Sequence, residues 1–383
     1  MIVGSLAACG TARYAPVDDY AKQPSKPSTN YARATGTVAG MPGTPSPQQS
    51  YRSRWVAVDW SELPGVQSDH LQDAWNAWLQ NCERPGPLFA PLCKDVRMLL
   101  LGTDDDRRQW MQSRLQPYRV ESIDGNPDGL LTSYYEPLFD ASAQKRPGFE
   151  VPLYAPPEGL AQARRAGRSW FTRQEIDTHP EAQAALRGRE VAWLADPIDA
   201  LVLHIQGSGR VRISNPDGTT RVVRLAFAGS NEQPYQSVGR WLLNRGLITD
   251  ASWPGIKAWI STTQQSNPAL VQEMLWSNPR YVFFREEARS AADADLGPRG
   301  ALGVPLTAGR SIAVDKDSIP YATPVWLATA GANNLQRLVF AQDTGSAIVG
   351  AVRADYFAGT GPQAGELAGR MKQGLRLWVL WPK

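Results

Sequence analysis

Apolar positions recur along this chain in two textures, one helical and one extended. Between Asp69 and Cys82, the residues Leu71, Ala74, Trp75, Trp78 and Leu79 fall three and four positions apart, the spacing that gathers one face of an α-helix. The pattern predicts an amphipathic helix capped by Ser68 or Asp69, whose side chains can accept from the first unpaired backbone N–H groups. A second helix is expected after Thr103. Its first turn holds Asp104, Asp105 and Asp106, carboxylates that suit the positive end of a helix dipole, and Trp110, Met111 and Leu115 supply its apolar face. The acidic triplet is read as this helix start rather than as a metal site.

After Asn126-Pro127-Asp128-Gly129 the texture changes to short apolar and aromatic runs broken by Gly and Pro, which reads as β structure. Strands are expected at 130–135, 200–206, 210–214 and 220–226. The last two flank Asn215-Pro216-Asp217-Gly218, where Asp-Gly supplies the positive φ angles of a hairpin. On the strand assigned to 200–206, His204 alternates onto the same face as Gln206 and reads as a structural histidine. Helices return at 234–245, 254–266 and 268–276. A second β series follows at 302–305, 311–314, 324–327, 337–341 and 375–380, with a helix over 363–371 started by Pro362. The class is mainly β with accessory helices.

The 383-residue length makes two domains the first expectation. Gly10 to Ser50 is rich in Pro, Ser, Thr, Gly and Gln and reads as a flexible tether, with order beginning near Arg54-Trp55. With 40 basic and 37 acidic residues, the net charge of +3 is too small for a nucleic-acid-binding field. No apolar run approaches the roughly 20 residues that a transmembrane helix needs. Three cysteines and three histidines lack the paired spacing of a zinc site, so no metal and no cofactor are expected. Cys82 and Cys93 lie eleven positions apart across a Pro-Gly-Pro segment and read either as a disulfide or as two buried thiols. Leu6-Ala7-Ala8-Cys9-Gly10 resembles a bacterial lipobox, in which Cys9 would be lipidated, although Met1 to Ser5 is a short stub for a leader of about 15–30 residues.

Chemistry concentrates where carboxylates sit among glycine-rich turns. Ala341-Gln342-Asp343-Thr344-Gly345-Ser346-Ala347-Ile348 leads through a turn to Val352-Arg353-Ala354-Asp355-Tyr356-Phe357, and both follow Ala313-Val314-Asp315. Three aspartates thus stand at the ends of expected strands. This region resembles the three-aspartate segment of the membrane-bound lytic murein transglycosylase A family. Similar matches run through Gly129-Leu130-Leu131-Thr132-Ser133-Tyr134-Tyr135-Glu136-Pro137, Asp196-Pro197-Ile198-Asp199, His204-Ile205-Gln206-Gly207-Ser208-Gly209 and Ser277-Asn278-Pro279-Arg280-Tyr281-Val282-Phe283-Phe284. The chain departs from the family pattern at Ser346, at Val349 and at Tyr321-Ala322, where Leu-Gly is usual.

The resemblance implies a double-psi β-barrel formed by residues 51–137 and 288–383, with a smaller β domain inserted at 138–287 and a glycan groove between them; residues 1–50 would be leader remnant and tether. It implies cleavage of the β-1,4 bond from N-acetylmuramic acid to N-acetylglucosamine in peptidoglycan, giving a 1,6-anhydro product. The muramyl 6-hydroxyl is then the nucleophile, so one carboxyl can serve as acid and afterwards as base, where ordinary glycosidases need two. By match to the family that residue is Asp355, with Asp343 as orienting partner and Asp315 structural. Thr132, Tyr134, Tyr135, Gln206 and Ser208 are nominated to bind the sugar chain through stacking and hydrogen bonds. The implied setting is the periplasm, with a lipid anchor in the outer membrane and peptidoglycan strands as the partner.

Overall fold

The computed structural model describes residues 52–287 and 296–383, all within one compact unit that spans Pro47–Lys383. The tether at 10–50, Cys9 and the centre of the loop before Gly300 lie outside the described residues. In chain order the strands are β1 (Arg54–Ala57), β2 (Leu115–Glu121), β3 (Gly129–Glu136), β4 (Leu138–Ser142), β5 (Val151–Tyr154), β6 (Glu190–Leu194), β7 (Gly209–Ser214), β8 (Thr220–Ser230), β9 (Val282–Glu286), β10 (Ser311–Val314), β11 (Pro324–Ala330), β12 (Gln336–Asp343), β13 (Arg353–Thr360) and β14 (Lys372–Pro382).

They form two sheets. The larger runs β1-β2-β14-β11-β12-β10-β13-β3, and an additional β3–β14 pairing brings its far edge back, so that β14, β11, β12, β10, β13 and β3 make a nearly closed barrel. Side-chain alternation gives the barrel an apolar inside and an outside that carries polar side chains on β3 and β13. Leu131, Ile312, Val314, Val339, Ala354, Tyr356, Leu375 and Leu377 fill the interior. The residues between them on β3 and β13, among them Thr132, Tyr134, Arg353 and Asp355, face the other way. Closeness of β3 and β13 requires Gly129: a Cβ there would meet the Val352 carbonyl oxygen at 1.7 Å.

The first amphipathic helix, Leu71–Asn81, lays Leu71, Ala74, Trp75 and Trp78 against Trp326, Phe340 and Trp378 on the barrel. Its cap differs from expectation. The N-cap is His70 without a side-chain bond, because Asp69 turns inward and takes Arg310 in a two-pronged ion pair at 2.8 and 2.9 Å and the Leu338 N–H at 2.9 Å. A buried carboxylate facing a guanidinium fork gains more there than from one orphan N–H. Cys82, at the end of this helix, is bonded to Cys93 with their Cα atoms 5.6 Å apart, so the thiol alternative falls away. The helix after Thr103 is Asp104–Arg114, and its acidic first turn is a capping box: Thr103 accepts from the Asp106 N–H while Asp106 accepts from the Thr103 N–H at 2.8 Å.

The smaller sheet runs β5-β6-β4-β7-β8-β9. Its β7–β8 hairpin turns at Asn215-Pro216-Asp217-Gly218, with Gly218 at φ 83° and Ser214 paired to Thr220. Residues 200–206 are a correction: they belong to a helix, Pro197–Gln206, not to a strand. Asp196 accepts from the Ile198 N–H at 2.8 Å, Pro197 occupies the first turn, and Gly207 closes the helix at φ 78°, so its start and stop signals outweigh the β-like apolar run. The run is apolar on all sides because the helix is buried on nearly all sides, by the small sheet and by the helices Val238–Asn244, Trp253–Ser266 and Pro268–Trp276. Helix expected over 234–245 forms only as Val238–Asn244, capped by Ser237. No strand forms at 302–305; one isolated bridge joins Arg299 to Pro305.

Candidate active site

Strand register carries two of the three aspartates into one row. Ala313 on β10 pairs with Asp343 on one side and with Asp355 on the other; Asp355 pairs in parallel with Thr132, and Thr132 pairs across to Lys372. Directly opposed residues share a face of a sheet. Asp343, Ala313, Asp355, Thr132 and Lys372 therefore line up across β12, β10, β13, β3 and β14 on the outer face of the barrel.

Asp343 is held from three sides. Tyr134 donates its hydroxyl to Oδ2 at 2.8 Å, the Ala301 N–H donates to Oδ1 at 2.9 Å, and the Thr344 N–H also donates to this carboxylate. Behind it, buried Gln342 donates to Asn81 Oδ1 at 2.7 Å and to the Ala77 carbonyl at 3.1 Å, which fixes the strand end to the first helix. The 300–302 turn that supplies Ala301 lies tightly on this strand, and a Cβ on Gly300 would come within 2.4 Å of the Gln342 carbonyl oxygen. Burial raises the Asp343 carboxyl above its ordinary range, with the bonds from Tyr134, Thr344 and Ala301 opposing.

Asp355 has different company. Thr132 Oγ1 contacts its Oδ1, and Arg353, two positions back on the same face, donates from Nη2 to the same Thr132 oxygen at 2.8 Å. Desolvation raises the Asp355 carboxyl above the usual range, opposed by the Arg353 charge and the Thr132 bond. Phe357 and Tyr134, with ring centroids 5.4 Å apart, form the apolar surround on this face. Tyr134 itself is pushed well above the usual phenol range by burial and by Asp343, so it stays protonated and a donor.

The remaining nominated residues spread out from this row. Tyr135 points to the opposite face of β3, where its ring packs on the helix Pro362–Arg370; a Cβ on Gly365 would lie 2.9 Å from it. Gln206 reaches over from the end of its helix and accepts from the Tyr135 N–H at 3.1 Å through Oε1. It thereby ties the small sheet's helix to β3. Ser208, half-exposed, follows the Gly207 cap. His204 and Gln206 point to different sides of a helix and not to one strand face: buried His204 stacks on Phe284, lies tilted against Tyr281 and meets Arg173 Nη1 at 2.9 Å through Nδ1. Desolvation and the neighbouring Arg173 charge keep it neutral. Asp315 stands apart from the acid pair, accepting from Arg52 Nη1 at 3.0 Å, the Gly350 N–H at 2.9 Å and the Asp317 N–H at 3.0 Å.

Sequence reasoning passed over Arg353 and Lys372. Arg353 was legible by alternation, since i and i+2 on one strand share a face; Lys372 was not, because its place follows from the closing of the barrel. Among the described residues, no three His, Cys, Asp or Glu side chains converge so as to hold a metal ion.

Known proteins resemble this chain over most of its length. The MltA specific insert domain matches residues 130–285 and the 3D domain matches residues 310–381. The membrane-bound lytic murein transglycosylase A of Escherichia coli (strain K12) is 30% identical over 292 residues, 73% of each chain. Among solved structures, the lytic transglycosylase LtgG of Burkholderia pseudomallei is 44% identical, covering 88% of this chain and 97% of its own, with a TM-score of 0.59. The membrane-bound lytic murein transglycosylase of Agrobacterium tumefaciens is 28% identical over 86% of this chain and 97% of its own, with a TM-score of 0.71.

Proposed function

Because the chain belongs to the membrane-bound lytic murein transglycosylase A family, and is thus a peptidoglycan lytic transglycosylase, we propose that it cleaves the β-1,4 bond from N-acetylmuramic acid to N-acetylglucosamine with Asp355 as acid and then base. The observation that carries the assignment is the unequal bonding of the two acids. Both oxygens of Asp343 accept from donors, which favours the ionised form. Asp355 has donors only at Oδ1 among the described contacts, which leaves Oδ2 to carry a proton that burial helps retain.

In this reading the Asp355 proton passes to the glycosidic oxygen as the bond to muramyl C1 breaks. The resulting carboxylate then takes the proton of the muramyl 6-hydroxyl as that oxygen closes on C1, giving the 1,6-anhydro ring and restoring the acid. The tethered hydroxyl replaces the water or second carboxylate of an ordinary glycosidase. Asp343 stands beside this centre with a donor on each oxygen; its ionised form favours the positive charge that develops at C1, and Tyr134 holds it in place. Thr132, Tyr134 and Lys372 form the reactive face, Gln206 and Ser208 extend the wall along which the glycan would lie, and Tyr135, packed on the helix Pro362–Arg370 from the opposite face of β3, supports that wall. The barrel is taken to be of the double-psi kind, with 51–137 and 288–383 as catalytic domain and 138–287 as insert. Cys9 is taken as the lipidated residue anchoring the enzyme in the outer membrane on its periplasmic side; no helix among the described residues is long and apolar enough to cross a membrane.

The test is mass spectrometry of soluble products from purified murein, with wild type and Asp355→Asn. The expected result is anhydromuropeptides from wild type and none from the variant. Products heavier by one water would replace the reading with a two-carboxylate hydrolase in which Asp343 activates water. Activity surviving in Asp355→Asn would remove Asp355 from the chemistry.

A further inference from the structure

The reading of Asp355 as the proton-transferring group assigns nothing to Arg353, and the following rests on that reading. We infer that Arg353 is a positioning residue for Asp355: by donating to the Thr132 hydroxyl it turns that hydroxyl's own proton onto Asp355 Oδ1 and reserves Oδ2 for the transferable proton.

The argument is one of donor and acceptor inventory. A guanidinium can only donate, so at 2.8 Å from Arg353 Nη2 the Thr132 oxygen must accept. The hydroxyl has one proton of its own, and Asp355 Oδ1 is the one acceptor it meets among the described contacts. If Oδ1 carried the carboxyl proton instead, both neighbours would donate to Thr132 and its own proton would be left without an acceptor, in a site where an unmade bond is costly. The arrangement therefore selects the protonated oxygen in the acid stage, and donates to the carboxylate in the base stage, without Arg353 touching substrate. Arg353 is itself fixed by donating from Nη1 to the carbonyls of Ala354 and, at 3.4 Å, Leu130, which bridges β13 and β3.

Charged and titratable groups stand on the strands around Asp355. Arg353 comes from β13 itself, Tyr134 from β3, Lys372 from β14 opposite Thr132, and Asp343 from the end of β12; β10 contributes Ala313 between the acids and Asp315 two positions on, held by Arg52. Arg353 is the cation joined to Asp355 through a single hydroxyl. Its removal frees that hydroxyl and lets Asp355 hold its proton to higher pH.

The test measures kcat and KM as functions of pH on solubilised glycan strands for Arg353→Met, Arg353→Lys, Thr132→Val and the Arg353→Met/Thr132→Val double variant. Loss of a charge-assisted orienting bond predicts a roughly tenfold to hundredfold fall in kcat for Arg353→Met with KM little changed. Its alkaline limb should move to higher pH. Arg353→Lys, which keeps the charge but not the fork, should return the limb towards its wild-type position while restoring only part of kcat. The double variant should be no slower than Thr132→Val, since both changes break one chain. Multiplying losses in the double variant, or an alkaline limb unmoved in Arg353→Met while kcat falls in step with Tm, would overturn the inference and leave Arg353 a structural residue. Asp355→Asn run alongside separates the two levels: activity in that variant overturns the reading of Asp355 and this inference together, whereas inactivity there with an unmoved limb in Arg353→Met overturns this inference alone.

Discussion

Asp355 and Asp343 are held where ionisation is disfavoured, and that placement has a stability consequence separable from activity. Burial raises both carboxyls above their ordinary range in the folded protein, so the native state takes up protons more readily than the unfolded chain does. Stability should accordingly rise as pH falls through the folded values towards the usual carboxylate range, the reverse of a salt-bridged aspartate. Above the pH at which Asp355 loses its proton, Asp355→Asn removes a charge that the fold tolerates only at a cost, and there it should raise Tm by about 2 °C. Differential scanning calorimetry checks this. The gain should shrink as pH is lowered and Asp355 becomes protonated anyway; a gain independent of pH would mean that the carboxyl is not strained by its charge. Both aspartates were legible as residues because they end apolar runs beside glycine-rich turns. Their pairing was expected from the turn between them and from the family resemblance, but the register that makes it, with Ala313 lying between β12 and β13, was not legible.

At the scale of elements, local chemistry was readable wherever a start or stop signal and the packing agreed. The helix start after Thr103, the Asp-Gly hairpin at 217–218 and the helix Pro268–Trp276 formed where expected. The misreading of 200–206 arose because Leu201, Val202, Leu203 and Ile205 satisfy a buried strand as well as a buried helix. Only Asp196, Pro197 and Gly207 distinguish the two, and they flank the segment instead of lying in it. Asp69 was misassigned for the opposite reason: it fits a cap by sequence, but its partner Arg310 lies 241 positions away. The link between the first helix and the segment that follows it rests on Cys82–Cys93, which closes a loop of eleven positions. Cys82→Ser/Cys93→Ser should lower stability by about 2–3 kcal/mol through the restored freedom of the unfolded chain. Urea unfolding with and without a reductant measures it, and reductant should lower wild type to the level of the variant while leaving the variant unchanged.

Across the whole molecule, the barrel and the small sheet meet at the residue where β3 becomes β4. Thr132, Tyr134 and Glu136 occupy alternate positions on one face of β3; the first two serve the acids, and the third is fully buried among groups from the other sheet. Glu136 accepts from Arg210 Nε on β7 at 2.9 Å, from Arg224 on β8 through Nε and through Nη2 at 3.0 Å, and from Thr360 at 2.8 Å. Its own carbonyl takes the Gly361 N–H at 2.9 Å, and the Pro137 carbonyl takes the Arg210 N–H at 2.7 Å. One carboxylate thus faces two guanidinium groups where two sheets join, a few residues from the row of acids. Glu287 lies 3.6 Å from Arg224 Nη1 as a second carboxylate of the cluster. Removing Glu136 takes two hydrogen bonds from buried Arg224 and one from Arg210, and breaking such a buried set costs about 3–5 kcal/mol, against less than about 1 kcal/mol for an exposed pair. Arg212 and Asp140, side chains 50% and 67% exposed, bridge the same two strands' neighbourhood and supply the control. Glu136→Ala should lose stability by the larger figure and separate a single urea transition into two, while Arg212→Ala should change neither. If Glu136→Ala instead unfolded in one transition with an m-value like wild type, the sheets would be coupled by their packed apolar faces and the covalent run through Pro137, and the ion cluster would be a passenger at the junction.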